Sequence, residues 1–166
     1  MIEKGEEWRP IPGYSGAYEA SSLGRIRSIS RITDRGRRWR GRVMTPSRMK
    51  NGYWIVTLWR DGSQSTKLVH RLVLSAFHGE RPLAEGRHLD GDQSNNALSN
   101  LAWGSHSANQ FDQVWHGTHH HASKTHCKRG HEFTSENTYN YPDRIHRACR
   151  ECRRIWVRDF KARRSA

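Results

Sequence analysis

Apolar residues in this chain come in short bursts set between long polar stretches. Residues 17–29, AYEASSLGRIRSI, read as two short strands around a turn at Ser22–Gly24. Residues 53–59, YWIVTLW, are rich in β-branched and aromatic residues and predict a strong strand. Asp61–Gly62 signals a hairpin turn, with the return strand near Gln64–Leu68. The period then changes. In residues 69–77, VHRLVLSAF, a short helix carries Val69, Leu72, Val73, Ala76 and Phe77 on one face. His70 within it reads as packing or a phosphate contact. Residues 31–42 form an arginine-rich loop, and residues 79–86, with Pro82, form a second loop.

Residues 86–112, GRHLDGDQSNNALSNLAWGSHSANQFD, break this rhythm. Arg87–Leu89 can end a strand, and Asp90–Gly91 opens a tight polar loop. Asp90 shapes the turn with Gly91, and Asn95 and Asn96 satisfy loop backbone groups. Leu98, Leu101 and Trp103 supply anchors, so residues 101–103 can pair back as a second strand. Ser105 is an N-cap for a helix from His106 to about Gln113. Strand, loop, strand and helix would bring His88 and Asn109 to one small cleft. A neutral imidazole there can take a proton from water, and an amide oxygen can hold a hard cation.

Composition sets the limits. With 166 residues, 34% of them hydrophobic, the chain has room for one domain or two small ones, not a large single core. Its seven Trp are expected to anchor several small cores. No run of 18 apolar residues exists to span a membrane. The N-terminus, MIEKGEEWRP, is too acidic and polar for a signal peptide. Three cysteines, an odd count, argue against a disulfide framework and for a reducing, cytoplasmic setting. The net charge of +13 is segregated: +8 over residues 1–60, −2 over 61–123 and +7 over 124–166. Two basic arms flanking a slightly acidic middle suit phosphate neutralisation and counterion release, so nucleic acid is the expected partner.

At this point the sequence resembles a family, the HNH nucleases with a ββα-metal finger, in their phage homing-endonuclease form. The matching residues are HLDGDQSNNALSNLAWG followed by SAN. Two upstream blocks match in the same order: EEWRPIPGYSGAYEASSLGRIRSI resembles the module found N-terminal to these nucleases, and NGYWIVTLWRDGSQSTKLVHRLVLSAF the hairpin and helix before the finger. The resemblance covers roughly residues 6–113. It implies that His88 is the general base, that Asn100 ties down the loop and helps set that base, and that Asn109 ligates a catalytic Mg²⁺ or Mn²⁺. It also implies cleavage leaving 5′ phosphate and 3′ hydroxyl ends. Arg87 departs from the pattern, because close homing relatives place an acidic metal ligand directly before the base. A guanidinium cannot ligate a cation, but it can hold the scissile phosphate.

The tail carries a second motif. In CKRGHEFTSENTYNYPDRIHRACREC, the pair Cys127 and His131 is followed, after 17 intervening residues, by the pair Cys149 and Cys152. Four soft or borderline ligands in two close pairs fit a structural, tetrahedral Zn²⁺. His126 and His146 are alternative fourth ligands with less suitable spacing. The run His119, His120 and His121 reads as a solvated stretch. RRIWVRDFKARR then predicts a basic helix anchored by Ile155, Trp156 and Phe160.

The expected fold class is α+β: a small N-terminal antiparallel sheet, a ββα-metal finger and a separate zinc-stabilised module. The expected divisions are 1–50 for DNA binding, 51–114 for hairpin, helix and finger, 115–126 for a linker and 127–166 for the zinc module. Double-stranded DNA is the expected partner, contacted by Arg25, Arg27, Arg37, Arg38, Arg40, Arg150, Arg153, Arg154 and Arg158. The expected activity is metal-dependent DNA cleavage. The alternatives are a non-catalytic DNA-binding protein with a disabled finger and an RNA-binding module. Neither the target site nor the choice between monomer and homodimer follows from these residues.

Overall fold

Period-2 patterns bounded by glycine turns yield a series of small antiparallel sheets in the computed structural model, which describes residues 5–32, 36–120, 122–142 and 146–164. Strands β1 (Trp8–Pro10), β2 (Tyr18–Ser21) and β3 (Ile26–Ser28) form the first sheet, in that order. Within the arginine-rich stretch read as a loop, β4 (Arg31–Ile32) pairs with β5 (Arg38–Trp39). Backbone pairing there needs no apolar pattern, so no period-2 signal marks it in the residues. Strands β6 (Ser47–Arg48), β7 (Trp54–Arg60) and β8 (Ser63–Leu68) form the next sheet. Its β7–β8 turn places Asp61 and Gly62 at φ of 50° and 78°, the left-handed conformation that tight hairpins require.

Helix α1 (Val69–His78) follows directly. It buries Val69, Leu72 and Val73, as its period requires, and also His70 and Leu74. These two are four residues apart and so form a second stripe on the same side of the helix. Strand β9 (Glu85–His88) pairs with β10 (Leu101–Gly104), with His88 opposite Leu101 and Glu85 opposite Gly104. Helix α2 (His106–Trp115) begins where expected, and the Ser105 hydroxyl accepts the Ala108 N–H at 3.1 Å.

The chain divides into two compact units, residues 1–109 and 110–166. In the first, one core gathers Ile11, Tyr14, Tyr18 and Ile26 from the N-terminal module with Val56, Leu58, Leu72, Val73, Leu74 and Leu101. Residue 50 therefore does not separate two cores. The join is intimate: Leu98 N–H donates to Ser22 O at 2.9 Å, and the Tyr18 hydroxyl accepts the Trp59 N–H at 3.1 Å. Gly24, at φ 85°, lies so close to Asn96 that a Cβ would come within 2.6 Å of its carbonyl oxygen.

The tryptophans are not the centres of several cores. Trp59, Trp115 and Trp156 are exposed at 54%, 88% and 63%. Others serve as platforms for guanidinium groups: Arg27 lies 4.2 Å above Trp8, Arg71 5.1 Å above Trp103 and Arg31 5.7 Å above Trp39. A cation above an indole face is attracted by its quadrupole, so a basic chain can use tryptophan without enclosing it.

In the second unit, β11 (Thr138–Asn140) pairs with β12 (Arg147–Cys149), which leads into α3 (Arg150–Arg164). Helix α3 buries none of its residues, so Trp156 and Phe160 are not core anchors; they stack on each other at 5.4 Å. Among the described residues, no helix is long and apolar enough to cross a membrane.

Gly86 in β9 faces His70, and a Cβ there would sit 2.5 Å from the imidazole Cδ2. Gly86→Ala should destabilise the first unit by about 1–3 kcal/mol through overpacking. Urea unfolding checks this, and unchanged stability would mean that His70 is free to move aside.

Candidate active site and metal centre

A loop with few apolar side chains must satisfy its polar groups internally, and residues 89–100 do so through their own side chains. Asn100 is buried; its Oδ1 accepts the Asp90 N–H at 3.0 Å, and its Nδ2 donates to Asp90 Oδ1 and Asn95 O, each at 2.9 Å. Asp90 also accepts from the Asp92 N–H at 2.8 Å and from Asn95 Nδ2 at 2.7 Å. The loop is thereby fastened across its own base, where β9 ends and β10 begins.

His88 closes β9 and is 7% exposed. Its ring packs against His70, 4.9 Å between centroids, and against Tyr53 at 5.8 Å. Its Nε2 lies 3.3 Å from Asn96 Oδ1. Because Asn96 Nδ2 donates to Ser94 O at 3.2 Å, the amide oxygen faces the imidazole. Nε2 must then carry the hydrogen, leaving the lone pair on Nδ1. Burial pushes the His88 pKa below its ordinary value, partly offset by the Asn96 hydrogen bond and the charges of Asp90 and Asp92. His70 is pushed down to about 3 by burial, then by His88 and Arg71. Both imidazoles are therefore neutral at neutral pH.

The side chain at the imidazole Nε2 is thus Asn96, while Asn100 fastens the loop. Reading Asn96 as a loop-backbone partner captured only its bond to Ser94. His70, Tyr53 and Glu85 also belong to this region. Alternation along β9 could have identified Glu85, which shares a strand face with Arg87.

Asn109, on α2, donates from Nδ2 to Glu85 Oε2 at 2.7 Å. His106 Nδ1 lies 2.8 Å from the other carboxylate oxygen, Oε1. The His106 and Asn109 bonds, in that order, hold the Glu85 pKa below its usual value. Arg87 lies across Gly104, whose missing side chain leaves room for the arginine stem. A guanidinium offers only donors, so this position cannot ligate a cation, whereas the Asn109 amide carries a hard oxygen suited to Mg²⁺ or Mn²⁺.

In the second unit, the nitrogen or sulfur atoms of Cys127, His131, Cys149 and Cys152 all lie within 4.8 Å of one another. Cys127 and Cys152 sulfurs are 3.6 Å apart, and His131 Nδ1 lies 3.3 Å from Cys152 and 3.6 Å from Cys149. Tetrahedral ligands at about 2.3 Å (sulfur) and about 2.0 Å (nitrogen) from one ion stand roughly 3.4–3.8 Å apart, so the cluster could hold a metal. Asn137 supports it, lying 3.4 Å from Cys149 sulfur through Nδ2 and accepting the Glu151 N–H at 3.0 Å. His126 instead contacts Thr125 at 2.9 Å. His119 departs from the expected solvated run: it is buried, with Nε2 2.9 Å from Gln110. His121 lies outside the described residues.

Comparison with known proteins accounts for this order of elements. The family model described as HNH endonuclease matches residues 67–111, and that of the NUMOD4 motif matches residues 6–59. Over 115 residues the chain is 34% identical to DNA endonuclease I-HmuI of Bacillus phage SP01, covering 68% of this chain and 60% of that protein.

The chain carries an HNH endonuclease domain and a NUMOD4 motif.

A solved structure, described as DNA binding and cleavage by the HNH homing endonuclease I-HmuI, superposes with a TM-score of 0.55 at 33% identity, again over 68% of this chain and 60% of that one. An uncharacterized HNH endonuclease, L245, of Acanthamoeba polyphaga mimivirus is 27% identical over 134 residues, 80% of this chain but 36% of that protein. The chain therefore spans less than two thirds of the length of these curated relatives.

Of the arginines expected at DNA, Arg37, Arg38 and Arg40 are exposed beside β5. Arg25 and Arg27 are held by Glu6 and Glu19, and both lie over Trp8. In the tail, Arg150 and Arg153 each lie 5.8 Å above Tyr139, while Arg154 pairs with Glu151 at 3.2 Å and Arg158 with Asp159 at 3.5 Å.

The buried imidazoles predict an acid-sensitive first unit. His70 binds a proton more readily unfolded than folded, so its contribution to stability is fully present above about 6.5 and is lost as pH falls towards about 3. His88, lowered in the same direction, adds to the effect. Denaturant unfolding across this range should show stability falling with acidity, and His70→Phe should make the fall shallower. An identical pH dependence in that variant would remove His70 as the cause.

Proposed function

We propose that the chain is a metal-dependent endonuclease that hydrolyses phosphodiester bonds in double-stranded DNA. The observation that carries this reading is His88: a neutral imidazole at the end of β9, its tautomer fixed by Asn96, within a segment that matches the HNH endonuclease family. Its Nδ1 lone pair accepts a proton from a water molecule as that water attacks phosphorus. Asn100 keeps the loop and the strand end in place while this happens. Arg87 offers paired N–H donors to the scissile phosphate. Asn109 offers its amide oxygen to Mg²⁺ or Mn²⁺, which when bound neutralises charge building on the phosphate and on the leaving 3′ oxygen.

DNA is held in this reading by the exposed Arg37, Arg38 and Arg40 and by the basic face of α3, with Arg150, Arg153, Arg154 and Arg158. Arg25 and Arg27 reach phosphate only by sharing their carboxylate partners. Cys127, His131, Cys149 and Cys152 bind one structural Zn²⁺, which holds the start of α3. Arg87, standing where close relatives carry an acidic ligand, favours the second reading, a DNA-binding protein with a disabled finger. Plasmid cleavage with Mg²⁺, Mn²⁺ or EDTA separates the two readings.

His88→Ala should lower cleavage by at least about a hundredfold with DNA affinity nearly unchanged, as for loss of a general base. Near-wild-type cleavage by this variant would sink the base assignment. For the tail, elemental analysis should find one zinc per chain in wild type and none in Cys152→Ser. Zinc-free wild-type protein, purified without chelator, would end that part of the reading.

A further inference from the structure

The carboxylate that β9 lacks next to the base is present two residues earlier. Side chains alternate along a strand, so Glu85 and Arg87 project from the same face of β9. Two residues of strand span about 6.6 Å, and a glutamate reaches one methylene further than an aspartate. The reach is realised: Glu85 Oε2 meets the Asn109 amide at 2.7 Å, and Oε1 meets His106 Nδ1 at 2.8 Å. Rotation of the Asn109 amide would exchange its Nδ2 for Oδ1, turning the hydrogen bond into a pair of oxygen donors facing one point. A carboxylate and an amide oxygen, completed by water and substrate phosphate, make an ordinary Mg²⁺ site. The Glu85 side chain is 36% exposed, so a hydrated ion can approach it.

We propose that Glu85 is the acidic metal ligand of this site, binding a divalent cation together with Asn109, while His106 orients the carboxylate through Oε1. This rests on the nuclease reading for its purpose but not for its test. The acidic charge has moved back along one strand face, and Arg87 occupies the vacated position facing phosphate. A finger with arginine before its base then still holds its cation with a carboxylate.

The experiment is a Mn²⁺ titration without DNA, followed by electron paramagnetic resonance, on chain whose tail cluster is saturated with Zn²⁺. Wild type should bind Mn²⁺, and Glu85→Gln should bind it at least about tenfold more weakly. Glutamine keeps the shape and can still bond Asn109 and His106, so a mere strut would survive this change. Asp92→Asn, in the exposed loop, should bind as wild type does. Asn109→Asp adds a second carboxylate and should tighten binding in wild type but much less in the Glu85→Gln background. Glu85→Gln binding within about twofold of wild type, or Asn109→Asp leaving affinity unchanged, overturns the assignment. Plasmid cleavage run in parallel keeps the two ideas apart. Mn²⁺ bound through Glu85 without cleavage sinks the nuclease reading alone, and cleavage with Glu85-independent binding sinks the ligand alone.

Discussion

The first unit depends on keeping an imidazole dry at the end of a short strand. His88 is 7% exposed, and three side chains from separate segments enclose its ring. Tyr53 comes from the segment before β7, His70 from α1, and Asn96 from the loop. Each belongs to a different part of the chain, so the site exists only when the shared core is formed. Gly24 extends the dependence to the N-terminal module, because its bare backbone is what admits Asn96 at close range.

The asparagine-rich loop follows from the same constraint. The loop carries few apolar groups, and a loop without apolar anchors has little to hold its shape. Asparagine and aspartate supply the hold as hydrogen bonds: Asn100 and Asp90 cross-brace the loop, and Asn96 turns its oxygen to the imidazole. Such bonds are worth roughly a kilocalorie each but are costly to leave unmade when buried, so they specify one geometry.

Positive charge is handled differently in the two units. In the first, several arginines lie on indole faces or pair with carboxylates, and Arg37, Arg38 and Arg40 are exposed in and around β5. In the second, a clustered Cys/His quartet stands where a hydrophobic core would otherwise be needed, and α3 buries no side chain at all. Where such a quartet holds an ion, a small polar module gains folding energy from it.

Much of this was legible in the chain. Strand and helix positions followed from period and turn residues, because 53–59, Asp61–Gly62 and 69–77 each carry a strong local signal. The HNH motif singled out His88, Asn100 and Asn109 as expected site residues, and cysteine spacing singled out the four residues whose ligand atoms cluster within 4.8 Å, because ligand chemistry restricts both residue type and separation. Other features depended on contacts between distant segments. That Asn96 rather than Asn100 meets the imidazole, that His70 is its packing partner, and that β4 and β5 pair are decided by which surfaces meet. Sequence likewise counted seven tryptophans but could not say that arginines would cover several of them. Glu85 lies between the two cases. Its alternation with Arg87 is written in the sequence, but only the approach of α2 to β9 brings its carboxylate to Asn109, since local pattern sets which face a side chain takes and tertiary packing sets what it meets there.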